Sequence, residues 1–100
     1  MTIGLRLREC RLTAGLSQED LGIAIGIDRN LAGATIDRYE SGVIEPQSDV
    51  VISLANAMGV RRAYFYCADD ELAQILMKWE RVEPDVHCRL TSFINVLEKE

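Results

Sequence analysis

The stretch from Ser17 to Gly42 ends in a run of side chains whose types and spacing suit hydrogen bonding to a ligand, namely Thr35, Asp37 and Arg38. Arg38 lies near its end, and a guanidinium group can bond O6 and N7 of guanine together. Thr35 could contact a thymine methyl group or a phosphate, and Asp37 could accept a hydrogen bond from cytosine N4. These three residues fall within four positions of the chain, so a single helix could carry them all.

Two helices joined by a tight connection are predicted to position these side chains. Ser17 begins a capping-box pattern, in which its oxygen accepts from free backbone N–H groups and an acidic residue follows three positions later. The apolar helix that follows stops at Gly26, and a second helix stops at Ser41-Gly42. This order is typical of a helix-turn-helix, whose second helix usually lies in the DNA major groove.

Five further helices are predicted, and no strand-like alternation is present. They cover about 3–14, a segment that starts near Gln47 or Ser48 and ends at Gly59, 61–66, a segment that starts at Asp69-Asp70-Glu71 and includes Trp79, and the region after Pro84. Apolar residues at three-four spacing, or a glycine or proline at an end, indicate all of these except the short segment 61–66. In the first, Ile3, Leu7, Cys10 and Ala14 form the predicted buried stripe. We expect Arg6, Arg8 and Glu9 to lie elsewhere on its surface.

The charge of the chain argues against strong general affinity for DNA. The 100 residues carry a net charge of −5, and residues 1–45 hold five arginines against seven acidic residues. Neutralisation of phosphates by Lys and Arg supplies most non-specific affinity. The sequence therefore predicts weak non-specific binding and reliance on a few well-placed contacts.

Several other functions are not favoured by the composition. No apolar run approaches the roughly 20 residues that cross a bilayer, and charges within the first ten residues are not typical of a signal peptide. We therefore expect a cytoplasmic protein with no membrane partner. The three cysteines show no C-x-x-C spacing, and His87 beside Cys88 lacks the further ligands that a metal needs. We expect no metal, no cofactor and no enzymatic activity.

The residues from Ile3 to about Phe65 resemble the Cro/C1-type (XRE-like) helix-turn-helix domain of phage repressors and related bacterial regulators. The resemblance implies an all-α fold, with a five-helix, lambda-repressor-like DNA-binding domain over residues 1–66 and two more helices in residues 67–100. The matching segments are Arg6-Leu7-Arg8, Arg11, Gly15 to Leu21, Gly26-Ile27, Ile36 to Gly42, Pro46, and Leu54 to Val60.

The C-terminal third narrows the resemblance to small regulators, including controller proteins of restriction–modification systems and small prophage regulators. The residues concerned are Tyr64-Phe65-Tyr66, the segment from Asp69 to Leu76, Trp79 and the final helix.

The resemblance also implies roles for individual side chains. It places Gln18 and the start of its helix against a DNA phosphate, and it implies a structural ion pair between Arg11 and Glu40. The predicted DNA-binding residues are Ser17, Gln18, Arg29, Asn30, Thr35, Asp37, Arg38 and Ser41.

One segment departs from the family pattern. About four extra residues lie between Gly26 and Glu40, and the segment 28–33 fills this length. Either the connection is longer, or the second helix begins early with Asp28 as its cap. Gly33 and Ala34 stand where relatives carry long polar side chains, so Arg29 and Asn30 are alternative DNA contacts.

A homodimer on a pseudo-palindromic operator is expected, because one recognition helix buries too little surface for useful specificity. The partners predicted are double-stranded DNA and a second copy of the chain, with RNA polymerase as a further candidate. The alternative is a protein-interaction adaptor or antitoxin on the same scaffold. The predicted dimer interface lies on the last two helices and comprises Leu72, Ile75, Leu76, Trp79, Leu90, Phe93, Ile94 and Leu97.

Overall fold

The computed structural model describes residues 2–98, which form six α-helices and two short 3-10 helices. No strand occurs within this range, and the predicted all-α fold is confirmed. The α-helices are α1 (Thr2–Ala14), α2 (Gln18–Ala24), α3 (Arg29–Ser41), α4 (Ser48–Met58), α5 (Asp70–Lys78) and α6 (Pro84–Glu98). The 3-10 helices are Arg62–Tyr66 and Trp79–Arg81.

The ends of α2 and α3 follow from local chemistry that the sequence displays. Ser17 caps α2, since its Oγ accepts a hydrogen bond of 2.9 Å from the backbone N of Asp20. Gly26 after α2 has φ +92° and Gly42 after α3 has φ +82°. Both lie in the left-handed region, which glycine adopts without a steric penalty.

The hydrophobic core draws one or more side chains from each of the first five helices and from the 3-10 helix Arg62–Tyr66. Leu7, Leu21, Ile36, Leu54 and Phe65 are fully buried. Two residues of α5 belong to the same core: Ala73 and Met77. The segment after Tyr66 is therefore not packed separately, because α5 shares one hydrophobic core with the helices that precede it.

The buried stripe of α1 is shorter than the sequence predicts, and it includes a charged residue. Leu7 and Cys10 are buried, whereas Ala14 is exposed because the last turn of α1 extends past the core. Arg6 was expected on the surface, and that expectation is wrong, since Arg6 is only 2% exposed.

Arg6 is buried because its guanidinium group bonds to the segment that leads into α5, to Asp70 of α5 and to Glu9 of α1. Its Nε donates to the carbonyl of Cys67 at 2.8 Å, and its Nη2 donates to Asp70 Oδ1 at 2.8 Å. Glu9 pairs with the same group at 3.2 Å. The hydrogen bond to Asp70 is the main cause that raises the pKa of Arg6. Arg6 thus ties α1 to α5 across 64 positions of sequence.

The last helix, α6, contributes no side chain to the core. The His87 ring on α6 stacks on Trp79, with centroids 4.0 Å apart and planes 6° from parallel. His87 Nε2 also lies 2.8 Å from the carbonyl oxygen of Trp79. The described residues extend 54 Å along the longest axis and 25 and 21 Å across it.

Among residues 2–98, no helix combines the length and the apolar character that crossing a lipid bilayer requires.

Candidate nucleic-acid interface

The extra residues between Gly26 and Glu40 lengthen α3 rather than the connection before it. The helix begins at Arg29, and Asp28 occupies its N-cap position. The Asp28 carbonyl accepts from the backbone N atoms of Leu31 and Ala32, both at 2.9 Å, but its side chain makes no capping hydrogen bond. Of the two alternatives, the early helix start is therefore the one adopted, and α3 spans 13 residues.

Close contact between α2 and α3 fixes the angle of the helix pair. A Cβ on Gly22 would lie 2.6 Å from Ala32 Cβ and 2.8 Å from Ala32 Cα, which is far inside contact distance. Ala32 itself is fully buried. The absence of a side chain at Gly22 thus allows the first half of α3 to pack directly on α2.

The far end of α3 is held by α1. Arg11 Nε donates to Glu40 Oε2 at 2.6 Å, and the two side chains are 11% and 5% exposed. The Arg11 guanidinium also donates to the carbonyl of Leu16 at 2.9 Å. The hydrogen bond to Glu40 is the first cause that raises the pKa of Arg11. This pair was the structural ion pair implied by the resemblance, and its geometry holds the last turn of α3 in place.

Gln18 links the start of α2 to the middle and end of α3. Its Nε2 donates to Asp37 Oδ1 at 3.1 Å and to Glu40 Oε1 at 3.2 Å. Two residues predicted as separate DNA contacts, Gln18 and Asp37, are therefore joined to each other. The Asp37 carboxylate is exposed, and its free lone pairs can still accept further hydrogen bonds.

The three predicted hydroxyl contacts are engaged with nearby backbone groups. Thr35 Oγ1 donates to the carbonyl of Leu31 at 2.8 Å, and Ser41 Oγ donates to that of Arg38 at 3.3 Å. Ser17 Oγ is the cap of α2. Each hydroxyl retains acceptor capacity, so each is available for an additional contact but is not free to turn.

The outer face of α3 carries the remaining predicted residues. Ala32 and Ile36 are fully buried and mark the inner face. Asn30, Ala34 and Arg38 repeat at four-residue spacing on the other side of the helix, and all three are exposed. Arg38 forms no ion pair with any residue in 2–98. Its guanidinium group is thus available to a ligand.

Arg29 is exposed in the first turn of α3. The charge around it is mixed, since Glu19 and Asp20 are exposed in the first turn of α2. These carboxylates lie at the helix end predicted to meet a phosphate, which accords with weak non-specific affinity.

Sequence reasoning missed one exposed side chain on α3, that of Leu31. It is 60% exposed, whereas leucine is among the residues most often buried in proteins. The spacing Leu31, Ala34, Arg38 could have indicated a shared outer face.

Neither a metal-ligand group nor a disulfide occurs among the described residues. No group of three or more His, Cys, Asp or Glu in residues 2–98 could hold a metal ion. Cys10, Cys67 and Cys88 are free.

The chain belongs to the helix-turn-helix domain family, whose model matches residues 2–64. This range contains α1 to α4, and it therefore includes the α2–α3 pair and the exposed outer face of α3.

Among solved structures, the chain is similar to that described as the crystal structure of transcriptional regulator BswR. The sequences are 37% identical, the match covers 92% of this chain and 91% of that chain, and the TM-score is 0.87. The similarity therefore extends beyond the helix-turn-helix to α5 and α6. A comparison with curated proteins found no match.

Proposed function

We propose that the protein is a sequence-specific, DNA-binding transcriptional regulator that places α3 in the major groove. The observation that carries this proposal is the contrast between the two sides of α3. One side is held by Gly22, by Gln18 and by the buried Arg11–Glu40 pair. The other side is exposed and presents the Arg38 guanidinium, which forms no ion pair within residues 2–98. Recognition needs this combination, because a rigid helix keeps its side chains in register with the base pairs.

We further propose that Ser17 and Gln18 at the start of α2 fix the position of the protein on the DNA backbone. Backbone N–H groups and the partial positive charge of a helix N-terminus favour a phosphate there. Ser41 at the end of α3 would contact a second phosphate, while Arg29, Asn30, Thr35 and Asp37 lie where they could contact bases or backbone.

The proposed working unit is a homodimer on a pseudo-palindromic operator. Its support is the apolar surface of α5 and α6 that the core leaves uncovered. Side chains of the proposed interface that are more than two-fifths exposed are Leu72, Ile75, Leu90, Phe93, Ile94 and Leu97. A soluble helix normally buries such a stripe against another element, and a second copy would cover it.

Within the helix-turn-helix family, we propose the Cro/C1 type, with a role like that of restriction–modification controllers or small prophage regulators. Such a protein acts in the cytoplasm, where RNA polymerase is a further candidate partner. No catalytic activity is proposed, since helix-turn-helix domains generally bind DNA without transforming it.

The experiment is a comparison of two duplexes at two salt concentrations. Fluorescence anisotropy would measure binding of the full chain to DNA from upstream of its own gene and to a scrambled duplex of equal length. We expect tighter binding to the upstream duplex and a steep loss of affinity between about 50 and 200 mM salt. Absence of binding to both at the lower salt would contradict the proposal.

A second candidate function, a protein-interaction adaptor or antitoxin, is favoured by one observation. The exposed Glu19 and Asp20 at the start of α2 would attract a basic protein surface and repel phosphate. If the chain binds neither duplex, this function becomes the better account.

A further inference from the structure

The exposed apolar patch on the outer face of α3 has no use in the fold. It consists of Leu31, which is 60% exposed, and Ala34, which is also exposed. The two residues are three positions apart, which places them side by side on one helix face. Arg38 continues the same face one turn further on. The patch therefore lies on the surface that the proposed function directs at DNA.

From this placement we infer that Leu31 and Ala34 form a subsite for the C5-methyl group of a pyrimidine base. The inference rests on the proposed function and adds to it one specificity-determining contact. The thymine methyl is the one apolar group that an unmodified base pair presents in the major groove, and apolar side chains read it by direct contact. 5-Methylcytosine presents the same group from a C·G pair.

Leu31 is better placed than Thr35 for this contact. The Thr35 side chain is half-buried, and its hydroxyl is held by the Leu31 carbonyl at 2.8 Å. Leu31 instead extends a longer apolar side chain into solvent. Removing its surface from water requires only a methyl within about 4.0–4.5 Å, which is ordinary apolar contact.

The subsite also gives the extra length of α3 a consequence for recognition. Leu31 lies in the first turn of the helix, within the segment 28–33 that departs from the family pattern. Because that segment is helical, Leu31 is in register with Ala34 and Arg38 rather than on a loop. The added turn thus supplies one apolar contact beside the polar contact of Arg38.

The test uses the duplex that the full chain enriches from a randomised library. In that duplex each thymine is replaced in turn by uracil, which lacks only the methyl group, and each cytosine in turn by 5-methylcytosine. For the unchanged protein we expect one uracil position in each half-site to weaken binding about fourfold, the value of one buried methyl-sized group. For Leu31→Ala the same uracil substitution should have no effect.

If the reading position is occupied by cytosine, 5-methylcytosine should strengthen binding of the unchanged protein and not that of Leu31→Ala. As a control, Leu12→Ala shortens a leucine of α1 that is 56% exposed, and this variant should keep the sensitivity to the base methyl.

Sensitivity that persists in Leu31→Ala would assign methyl recognition to another residue, such as Thr35, and would overturn the inference while leaving the proposed function intact. Binding that no uracil or 5-methylcytosine substitution changes would also overturn the inference alone, because no base methyl is then recognised. Failure of the library to yield any enriched duplex would overturn the proposed function together with this inference.

Discussion

At the scale of single residues, we propose that Arg38 makes the main base contact of the interface. It is exposed, forms no ion pair within residues 2–98 and lies on the face of α3 opposite Ala32 and Ile36. A guanidinium in that position can bond both O6 and N7 of guanine, and no other base presents two such acceptors in the major groove.

Arg38→Ala should therefore relax base preference at one or two positions of the operator, at a cost of about 1–3 kcal/mol in binding free energy. Binding of the variant to a set of singly substituted operators would measure this. Arg8→Ala, which changes an exposed arginine of α1, is the control and should preserve the preference. Equal weakening on all sequences would instead make Arg38 a phosphate contact.

Glu40 has a structural role at the same scale. Its side chain is 5% exposed and pairs with Arg11 at 2.6 Å, so its removal leaves a largely buried guanidinium without its partner. Glu40→Ala should lower the free energy of unfolding by about 3–5 kcal/mol. Urea titration followed by circular dichroism gives this value.

The matched control breaks the exposed Arg89–Asp85 pair, whose side chains are 75% and 71% exposed. Asp85→Ala should change stability by about 1 kcal/mol or less. Equal losses in the two variants would show that the Arg11–Glu40 pair does not hold the end of α3.

At the scale of elements, the sequence predicts helix ends better than helix surroundings. The Ser17 cap predicts where α2 begins, and the glycines at 26 and 42 predict where α2 and α3 stop, because capping and positive φ are local effects. The start of α3 could not be chosen from the sequence alone. It depends on packing between distant residues, namely the contact of Gly22 with Ala32.

The burial of Arg6 is a second feature that local sequence patterns do not predict. Charged residues are rarely buried, so a surface position was the natural expectation for Arg6. Its burial depends on acceptors at Cys67 and Asp70, more than sixty positions away. No local pattern indicates such partners. In the candidate site, residue types indicate which polar side chains could bind DNA. They do not indicate the hydrogen bonds from Gln18 to Asp37 and Glu40, which only the folded structure shows.

The exposed apolar face of α6 leads to a prediction about dimer assembly. Phe93 is 62% exposed on a helix without buried residues, and the proposed dimer covers it. Phe93→Glu should shift the protein from dimer to monomer, because a carboxylate on an apolar interface loses its hydration. Sedimentation velocity reports the change.

Ser92→Glu serves as the control for charge, since Ser92 lies on the opposite side of α6 from the Leu90, Ile94 and Leu97 stripe. It should remain dimeric. If Phe93→Glu sediments like the unchanged protein, α6 does not form the interface.

At the scale of the whole molecule, the exposed apolar surface favours the proposed dimer, whereas the net charge weakens binding to DNA. The described residues extend 54 Å along their longest axis, and α6 exposes apolar side chains that the proposed dimer would cover. The net charge of −5 weakens attraction to any DNA backbone. In the proposed homodimer, selectivity would come from paired recognition helices, since two modest contacts on one DNA molecule act together.

The most direct test of the central claim is the symmetry of the DNA that the full chain selects from a randomised duplex library. Two α3 helices related by a two-fold axis should select inverted half-sites whose centres are one helical turn apart, roughly 34–36 Å. We predict this pseudo-palindrome, with a guanine in each half that Arg38→Ala no longer prefers. A single asymmetric site, or no enriched sequence at all, would contradict it.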